Sequence, residues 1–111
     1  MTNLYNAFSQ IKSEKEFDNF LSDLMTPKEI KNMRERWQIA QMLYTTNLPQ
    51  PAIAEKLGVS IATITRVARF LYNEKFKGYS SILAEIFPAR AEKLLKNQPG
   101  RLTAASRIHH A

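Results

Sequence analysis

The sequence contains no cysteine, which excludes disulfide bonds, thiolate metal ligands and a cysteine nucleophile. It has only three glycines, well separated, so it holds no glycine-rich phosphate-binding loop. No apolar run is long enough to span a bilayer, and the polar N-terminal segment lacks the apolar stretch of a signal peptide. We therefore expect a cytoplasmic protein that makes no membrane contact.

Catalytic and metal-binding residue types are isolated from one another. His109 and His110 are adjacent near the C-terminus and have no acidic neighbour, so a metal site there is not expected. They are the only histidines, and the sequence places neither of them to activate a serine. We expect no enzyme, no metal site and no firmly assigned cofactor.

Length and charge suit one small domain with an anionic partner. The 111 residues are enough for one hydrophobic core, and 44% of them are hydrophobic. The formal net charge is +6, and a positive protein attracts anionic partners electrostatically. Many proteins are basic, so the charge alone does not identify the partner.

Helical spacing and capping signals predict the first three helices. Apolar residues at helical spacing over residues 4–11 predict the first. Ser13 followed by Glu16 is a capping box that opens the second. Thr26 and Glu29 form another, with a proline between them, and the third helix is predicted to run to about residue 46.

The second half of the chain predicts three more helices and a tail. The fourth and fifth lie within about residues 50–72, and Gly78 is expected to interrupt the chain. A sixth is predicted over residues 81–96, in which Pro88 indicates either a kink or a division into two helices. We expect a helical domain over residues 1–96 and a basic, mostly disordered tail over residues 97–111 that contacts phosphates or is idle. The fold class is all-α.

Residues 50–69, QPAIAEKLGVSIATITRVAR, have the pattern of a helix-turn-helix. Small Ala54 permits a close helix crossing, and Gly58 can adopt the left-handed conformation that ends the first helix. Ser60 can cap the second helix with its hydroxyl. The second helix of such a motif enters the major groove of DNA. The alternative is an ordinary structural helical hairpin.

The fifth helix divides into an inward and an outward side. The inward residues are expected to be Ile64, Val67, Ala68 and Leu71. At the leading end, Ile61 and Ala62 can contact thymine methyl groups, and Thr63 can hydrogen-bond to a base or phosphate. The expected phosphate contacts are Gln50, Thr65 and Arg69. The alternative is that the threonines and Arg69 are ordinary solvated surface residues.

The N-terminal helices carry more large apolar side chains than one short chain can readily bury. They include Tyr5, Phe8, Phe17 and Phe20. A two-fold symmetric homodimer would bury the surplus, and it would place two recognition helices one turn of DNA apart on a palindromic site. A monomer with a compact helical core is the alternative.

From Leu24 to Tyr72 the sequence resembles the tryptophan repressor family, without a gap from LMTPKE onward. The most specific part is IATITR at residues 61–66, the recognition-helix signature of the family, and the similarity is closest to an uncharacterised Trp-repressor-like branch. The resemblance implies an intertwined symmetric dimer of six-helix chains that binds operator DNA as a transcriptional regulator, and we expect a repressor. The alternative is a helical dimeric protein-interaction module that uses the helix-turn-helix scaffold for contacts other than DNA. Two basic DNA-contacting positions of the family are Pro51 and Ala54 here, so a different operator sequence is expected.

The resemblance also implies a ligand pocket, in which two arginines of the repressor sandwich the indole ring of tryptophan. The corresponding pocket residues here are Thr26, Arg36 and Arg66. Val67 replaces a glycine, Phe70 a ligand-contacting serine, and Trp37 a valine. Each change adds volume, and cores have little spare space, so tryptophan is not the expected effector. Either Trp37 or Phe70 fills the slot, or Val67 reshapes it for another small molecule.

Overall fold

A computed structural model describes residues 1–73 and 75–97. Every regular element within them is an α-helix, which confirms the predicted fold class. The helices are α1 (Leu4–Ser9), α2 (Glu14–Leu24), α3 (Pro27–Thr45), α4 (Gln50–Leu57), α5 (Ile61–Tyr72), α6 (Gly78–Ile86) and α7 (Pro88–Lys96). No helix in this part of the chain has the length and apolarity that a membrane crossing requires. Residues 98–111 of the predicted tail, His109 and His110 among them, lie outside the described residues.

Pro88 divides the predicted sixth helix into two. Helix α6 ends at Ile86 and α7 begins at Pro88, so the described residues form seven helices rather than six. Proline lacks the N–H that would continue α6, but it fits the first position of a new helix. Phe87 is the single residue between them, with φ −122° and ψ 66°. Division was one of the two alternatives that Pro88 indicated.

The turn that precedes α6 is made by Lys77 rather than by Gly78. Lys77 has φ 59°, in the left-handed region that favours glycine. Gly78 is the first residue of α6, so this helix begins at residue 78 and not at the predicted residue 81. Lysine has no sequence pattern that predicts a left-handed conformation, which explains the difference.

The chain divides into two compact units, residues 1–35 and the part that begins at residue 36. In the first unit, the ring of Phe8 lies 6.2 Å from that of Phe17 and 5.7 Å from that of Phe20, measured between centroids. Leu21 is the buried residue of α2, and α1 has none. This unit therefore has little interior of its own.

Of the two predicted capping boxes in the first unit, the one at Thr26 is complete and the one at Ser13 forms in part, because Glu16 bonds to Lys12 and not to the N–H of Ser13. The Ser13 hydroxyl accepts the backbone N–H of Glu16 at 3.1 Å, while the Glu16 carboxylate accepts the N–H of Lys12 at 3.4 Å. The second box is fully reciprocal. Thr26 Oγ1 accepts the N–H of Glu29 at 3.2 Å, and Glu29 Oε1 accepts the N–H of Thr26 at 2.9 Å. The beginning of α3 is thus fixed by hydrogen bonds within one turn.

The core of the second unit joins the end of α3 to α4, α5 and α6. Its buried residues are Ile39, Ala40, Leu43, Ile53, Ala54, Ile64, Val67, Ala68, Leu71 and Leu83. Helix α4 packs on α5, α5 on α6, and α6 on α7. The predicted inward side of the fifth helix is confirmed in full, and the predicted crossing residue Ala54 is buried.

The turn between α4 and α5 has the predicted chemistry. Gly58 has φ 69° and ψ 36°, in the left-handed region. The N–H of Val59 donates to the Ala54 carbonyl at 3.0 Å, and that of Gly58 to the Glu55 carbonyl at 3.3 Å. This is a Schellman motif, which ends α4 sharply and directs the chain into α5.

Replacing Gly58 by alanine is expected to lower the free energy of unfolding by about 1 kcal/mol, because a Cβ is disfavoured in the left-handed region. A Cβ at either Gly58 or Gly78 would meet nothing within 4 Å, and only Gly58 has a positive φ. Gly78→Ala is therefore a matched control and should cost nothing. Urea unfolding at one protein concentration measures both. Equal losses of unfolding free energy in the two variants would contradict the role given to the left-handed conformation of Gly58.

Stability in acid should depend on Glu29. Its hydrogen bond from the Thr26 backbone, followed by that with the Thr26 side chain, holds the pKa of Glu29 below its ordinary value of 4.5. A pKa lowered by folding gives a stabilisation that is present above the ordinary pKa and is lost as the pH falls through the folded pKa. Glu29→Gln cannot titrate, so its melting temperature should fall less than that of the wild type between about pH 6 and about pH 3.

Glu14→Gln is the control for this experiment, because Glu14 also lies in the first turn of a helix but forms no reciprocal cap. The difference from the wild type should be larger for Glu29→Gln than for this control. Parallel curves for Glu29→Gln and the wild type would refute the role of the cap.

Candidate nucleic-acid interface and adjacent cavity

The leading end and the outer side of α5 are open to solvent. Ile61 is 51% exposed. Ala62, Thr65 and Arg69 are exposed and Thr63 is half-buried. Ile61 is apolar and is the first residue of α5. It gives α5 an apolar tip that a partner can cover.

Ser60 organises this tip. Its hydroxyl accepts the backbone N–H of Thr63 at 3.1 Å, the cap that the sequence predicted. The two hydroxyl oxygens of Ser60 and Thr63 lie 2.8 Å apart. A hydroxyl has one donor and two acceptor positions, so Thr63 keeps hydrogen-bonding capacity for a further partner. The cap therefore orients the Thr63 side chain without using it up.

Gln50 and Thr65 are brought together from different helices. Thr65 Oγ1 lies 3.1 Å from Gln50 Oε1 and 3.0 Å from the Ile61 carbonyl oxygen. The single proton of the threonine hydroxyl is therefore directed to acceptors within the protein. The contact links the first residue of α4 to the second turn of α5, and it orients the Gln50 amide.

The outer side of α5 carries uncompensated positive charge. Helix α5 contains Arg66 and Arg69 and no acidic residue. Among the described residues, the two ion pairs are Asp18 with Arg34 and Glu92 with Lys96. Neither arginine of α5 is neutralised within that part of the chain. The positive end of the helix dipole lies at the same tip. This surface is therefore suited to a polyanion.

A cavity of about 430 Å³ lies against α5, which contributes Arg66, Val67 and Phe70 to its lining. Its lining residues are Arg36, Arg66, Val67, Phe70, Phe76, Gly78 and Tyr79. Four of the five pocket residues predicted from the sequence thus line one cavity. Thr26, the fifth, belongs to the first unit, where its hydroxyl caps α3. In the described part of the chain, no group of acidic or histidine side chains is arranged to hold a metal ion.

The larger side chains near this cavity leave it open. Phe70 lines the cavity and is 52% exposed, and Val67 is buried at 1% exposure. Trp37 packs against the core instead of lining the cavity. Phe76 and Tyr79 also line the cavity but were not predicted to, because they lie on either side of Lys77, whose left-handed conformation has no sequence signal. Their aromatic character was the only available signal.

Comparison with known proteins identifies the lineage of this helix-turn-helix. Residues 1–86 match the family model described as Trp repressor protein. The chain belongs to the Trp repressor family. The match covers the whole helix-turn-helix and the lining of the cavity, and it ends at the last residue of α6. The resemblance predicted from the sequence is thereby confirmed.

Named relatives agree with this membership. A Trp operon repressor homolog of Chlamydia caviae is 40% identical over 73 residues, which cover 64% of this chain and 72% of the relative. The uncharacterized protein YerC of Bacillus subtilis is 37% identical, over 61% of this chain and 64% of its own length. A Trp operon repressor homolog of Vibrio vulnificus is 43% identical, over 48% of this chain and 52% of its own length. No solved structure gives a significant match.

The match to the Trp repressor family model ends before α7. Helix α7 begins at Pro88, after the last matched residue. The residues of the helix-turn-helix and of the cavity lining therefore fall within the match, whereas α7 lies beyond it.

Proposed function

We propose that this chain is a cytoplasmic, homodimeric transcriptional repressor that binds a specific operator through α5 and does not respond to tryptophan. At the level of its family it is a DNA-binding regulator and not an enzyme. The exposure of the leading end of α5 supports the more specific proposal of operator binding. Ile61 is half exposed on a capped helix whose opposite side forms the core.

The tip of α5 supplies the sequence-reading contacts. The major groove of B-DNA admits one α-helix, and the residues at the helix N-terminus reach the base edges. Ile61 and Ala62 present apolar surface to thymine methyl groups. Thr63, oriented by Ser60, offers its hydroxyl to a base or a phosphate, directly or through water.

Phosphate contacts fix the position of α5 on the duplex. Arg69 supplies a charge that no carboxylate of the described residues neutralises. Gln50 supplies amide hydrogens at the start of α4, and Thr65 contributes by holding the Gln50 amide at 3.1 Å. Such contacts give affinity that falls as salt rises, without reading the sequence.

Unsatisfied apolar surface supports a homodimer. Helices α1 and α7 have no buried residue within the single chain, and Tyr5 is 77% exposed. In the second unit, a groove of about 720 Å³ is lined by Met42 and Leu57 and by the chain from Ile86 to Arg90. A second copy of the chain supplies apolar helices that cover such surfaces, and two-fold pairing presents two α5 helices to one duplex.

The operator is expected to differ from that of other family members. Ala54 is 6% exposed and forms part of the core, so its side chain offers little surface to DNA. Pro51 lies in the first turn of α4 and carries no charge. Since two basic contacts suggested by the resemblance are absent, α5 and the phosphate contacts carry the recognition.

The cavity between Arg36 and Arg66 is proposed to bind a small effector other than tryptophan. Val67 is fully packed, so its methyl groups occupy space that a glycine would leave to the ligand. Phe70 adds a ring at the wall. Two arginines and three aromatic side chains favour an anion with an apolar body. A cavity of about 430 Å³ remains for it.

Selection from random double-stranded oligonucleotides tests the function directly. The purified protein is expected to enrich two inverted half-sites whose centres lie about one helical turn, or a multiple of it, apart. Absence of any enriched sequence at low salt would end the proposal. In that case the helix-turn-helix would serve protein contacts instead, since a fold does not determine a function.

Two single variants should separate sequence reading from charge on the selected site. Thr63→Ala is expected to weaken specific binding roughly tenfold, and its salt dependence should stay unchanged. Arg69→Ala should weaken binding to all sequences and reduce the salt slope by about one. Lys96→Ala is the control, because it removes a positive charge on α7 that Glu92 already pairs. Fluorescence anisotropy at several salt concentrations measures all three, and wild-type binding by both α5 variants would overturn the assignments.

Tryptophan should not stabilise the protein. A ligand at its dissociation constant adds only about 0.4 kcal/mol to the free energy of unfolding, whereas one at a hundred times that value adds about 2.7 kcal/mol. We expect about 1 mM tryptophan to raise the free energy of unfolding in urea by no more than about 0.4 kcal/mol. The reason is that Val67 and Phe70 reduce the space for an indole ring in the cavity. Phe70→Ser, which shortens an exposed side chain at the cavity wall, is the variant to compare with the wild type in the same measurement. Micromolar binding of tryptophan by the wild type in calorimetry would refute the prediction.

A further inference from the structure

Arg90 of α7 reaches across the chain to the end of α3. Its Nε donates to the Tyr44 carbonyl at 2.8 Å. Its Nη2 donates to the Thr46 carbonyl at 3.3 Å and to Asn47 Oδ1 at 2.8 Å. One guanidinium therefore holds three acceptors that lie at least 43 residues away in the sequence.

These acceptors need a partner. The last carbonyls of a helix have no intrahelical donor, and they form the negative end of the helix dipole. The hydroxyls of Thr45 and Thr46 point back into α3, donating to the Gln41 carbonyl at 2.7 Å and the Met42 carbonyl at 2.6 Å. Of the carbonyls that follow, those of Tyr44 and Thr46 accept from Arg90. A planar, permanently charged guanidinium suits them, because its donors have a fixed spacing.

The same guanidinium holds the connection that leads into the helix-turn-helix. Residues 46–49 join α3 to α4, and Asn47 lies within them. Helix α4 starts after Pro49, which provides no side-chain cap. The position of α4 is therefore set by its packing on α5 and by this connection. Arg90 restrains the connection at two of its residues.

The local environment strengthens this restraint. Arg90 is half-buried, and no carboxylate of the described residues pairs with it. Burial raises the pKa of the nearby Tyr44 phenol, and the charge of Arg90 partly offsets this increase. A half-buried guanidinium whose hydrogen-bond partners are all neutral is costly to displace, because its donors would lose their acceptors.

We propose that Arg90 is a positioning residue, which clamps the end of α3 and the Asn47 connection and thereby fixes the helix-turn-helix for DNA. This inference rests on the proposed function. Arg90 lies beyond the residues that match the family model, so family membership does not assign it. The clamp makes α7 part of the DNA-binding apparatus without contact with DNA.

The test compares four variants of the full chain on the selected operator. Arg90→Ala removes the clamp, and Arg90→Lys keeps the charge but loses the planar fork. Asn47→Ala removes one acceptor and leaves the charge unchanged. Lys93→Ala removes a positive charge from the same helix and is the control. Both Arg90 variants are expected to bind the operator roughly tenfold more weakly with an unchanged salt slope. Asn47→Ala should show a smaller loss, and Lys93→Ala none.

Hydrogen exchange of the free protein supplies a readout that does not depend on DNA. In both Arg90 variants, amides of residues 44–53 should exchange faster, while those of residues 64–71 in the core of α5 stay as in the wild type. A general loss of structure would accelerate both regions. If Arg90→Ala fails to fold, Arg90→Lys and Asn47→Ala still decide the question.

The outcomes separate the clamp from the proposed function. Wild-type affinity in Arg90→Lys, with a salt slope about one unit smaller in Arg90→Ala, would mean that Arg90 contacts a phosphate and would overturn the clamp. Unchanged exchange over residues 44–53 in both Arg90 variants would also overturn it, whatever the DNA results. If the wild type selects no DNA sequence, the proposed function fails, and the role of the clamp in DNA binding fails with it.

Discussion

Burial of one side of α5 determines what its other side presents. Ile64, Val67, Ala68 and Leu71 lie in one cluster with residues of α3, α4 and α6. Burying a large aliphatic side chain contributes about 1.5 to 3 kcal/mol, so turning α5 about its axis would forfeit several such contributions. The packing that makes the core therefore also holds the exposed tip in place, and the same few side chains serve stability and recognition.

The features that could be predicted from the sequence are those decided by near neighbours along the chain. Gly58 ends α4 because a left-handed residue is needed there, and Ser60 caps α5 through a hydrogen bond within one turn. The reciprocal bonds of Thr26 and Glu29 are equally local. Helical periodicity then predicted the inward side of α5, because it depends only on spacing.

The features that escaped prediction depend on contacts between distant residues or on unusual backbone. Arg90 carries no local sign that its partners lie at residues 44–47. Phe76 and Tyr79 line the cavity and flank Lys77, which takes a left-handed conformation that lysine rarely adopts. Pro88 indicated that the sixth helix is interrupted, but proline alone does not determine whether a helix is kinked or divided in two. The backbone of Phe87 divides it here.

The joint at Phe87 has a consequence for how this chain tolerates changes of length. Because the connection is one residue long, the two backbone dihedral angles of Phe87 set the direction in which α7 leaves α6. One residue inserted in α7 between Pro88 and Arg90 would turn the Arg90 side chain by about 100° about the helix axis, which would carry its guanidinium away from the carbonyls at the end of α3. Insertions at this point should therefore be rare among orthologous sequences, whereas the phase of α7 is indifferent to extra residues beyond its end at Lys96.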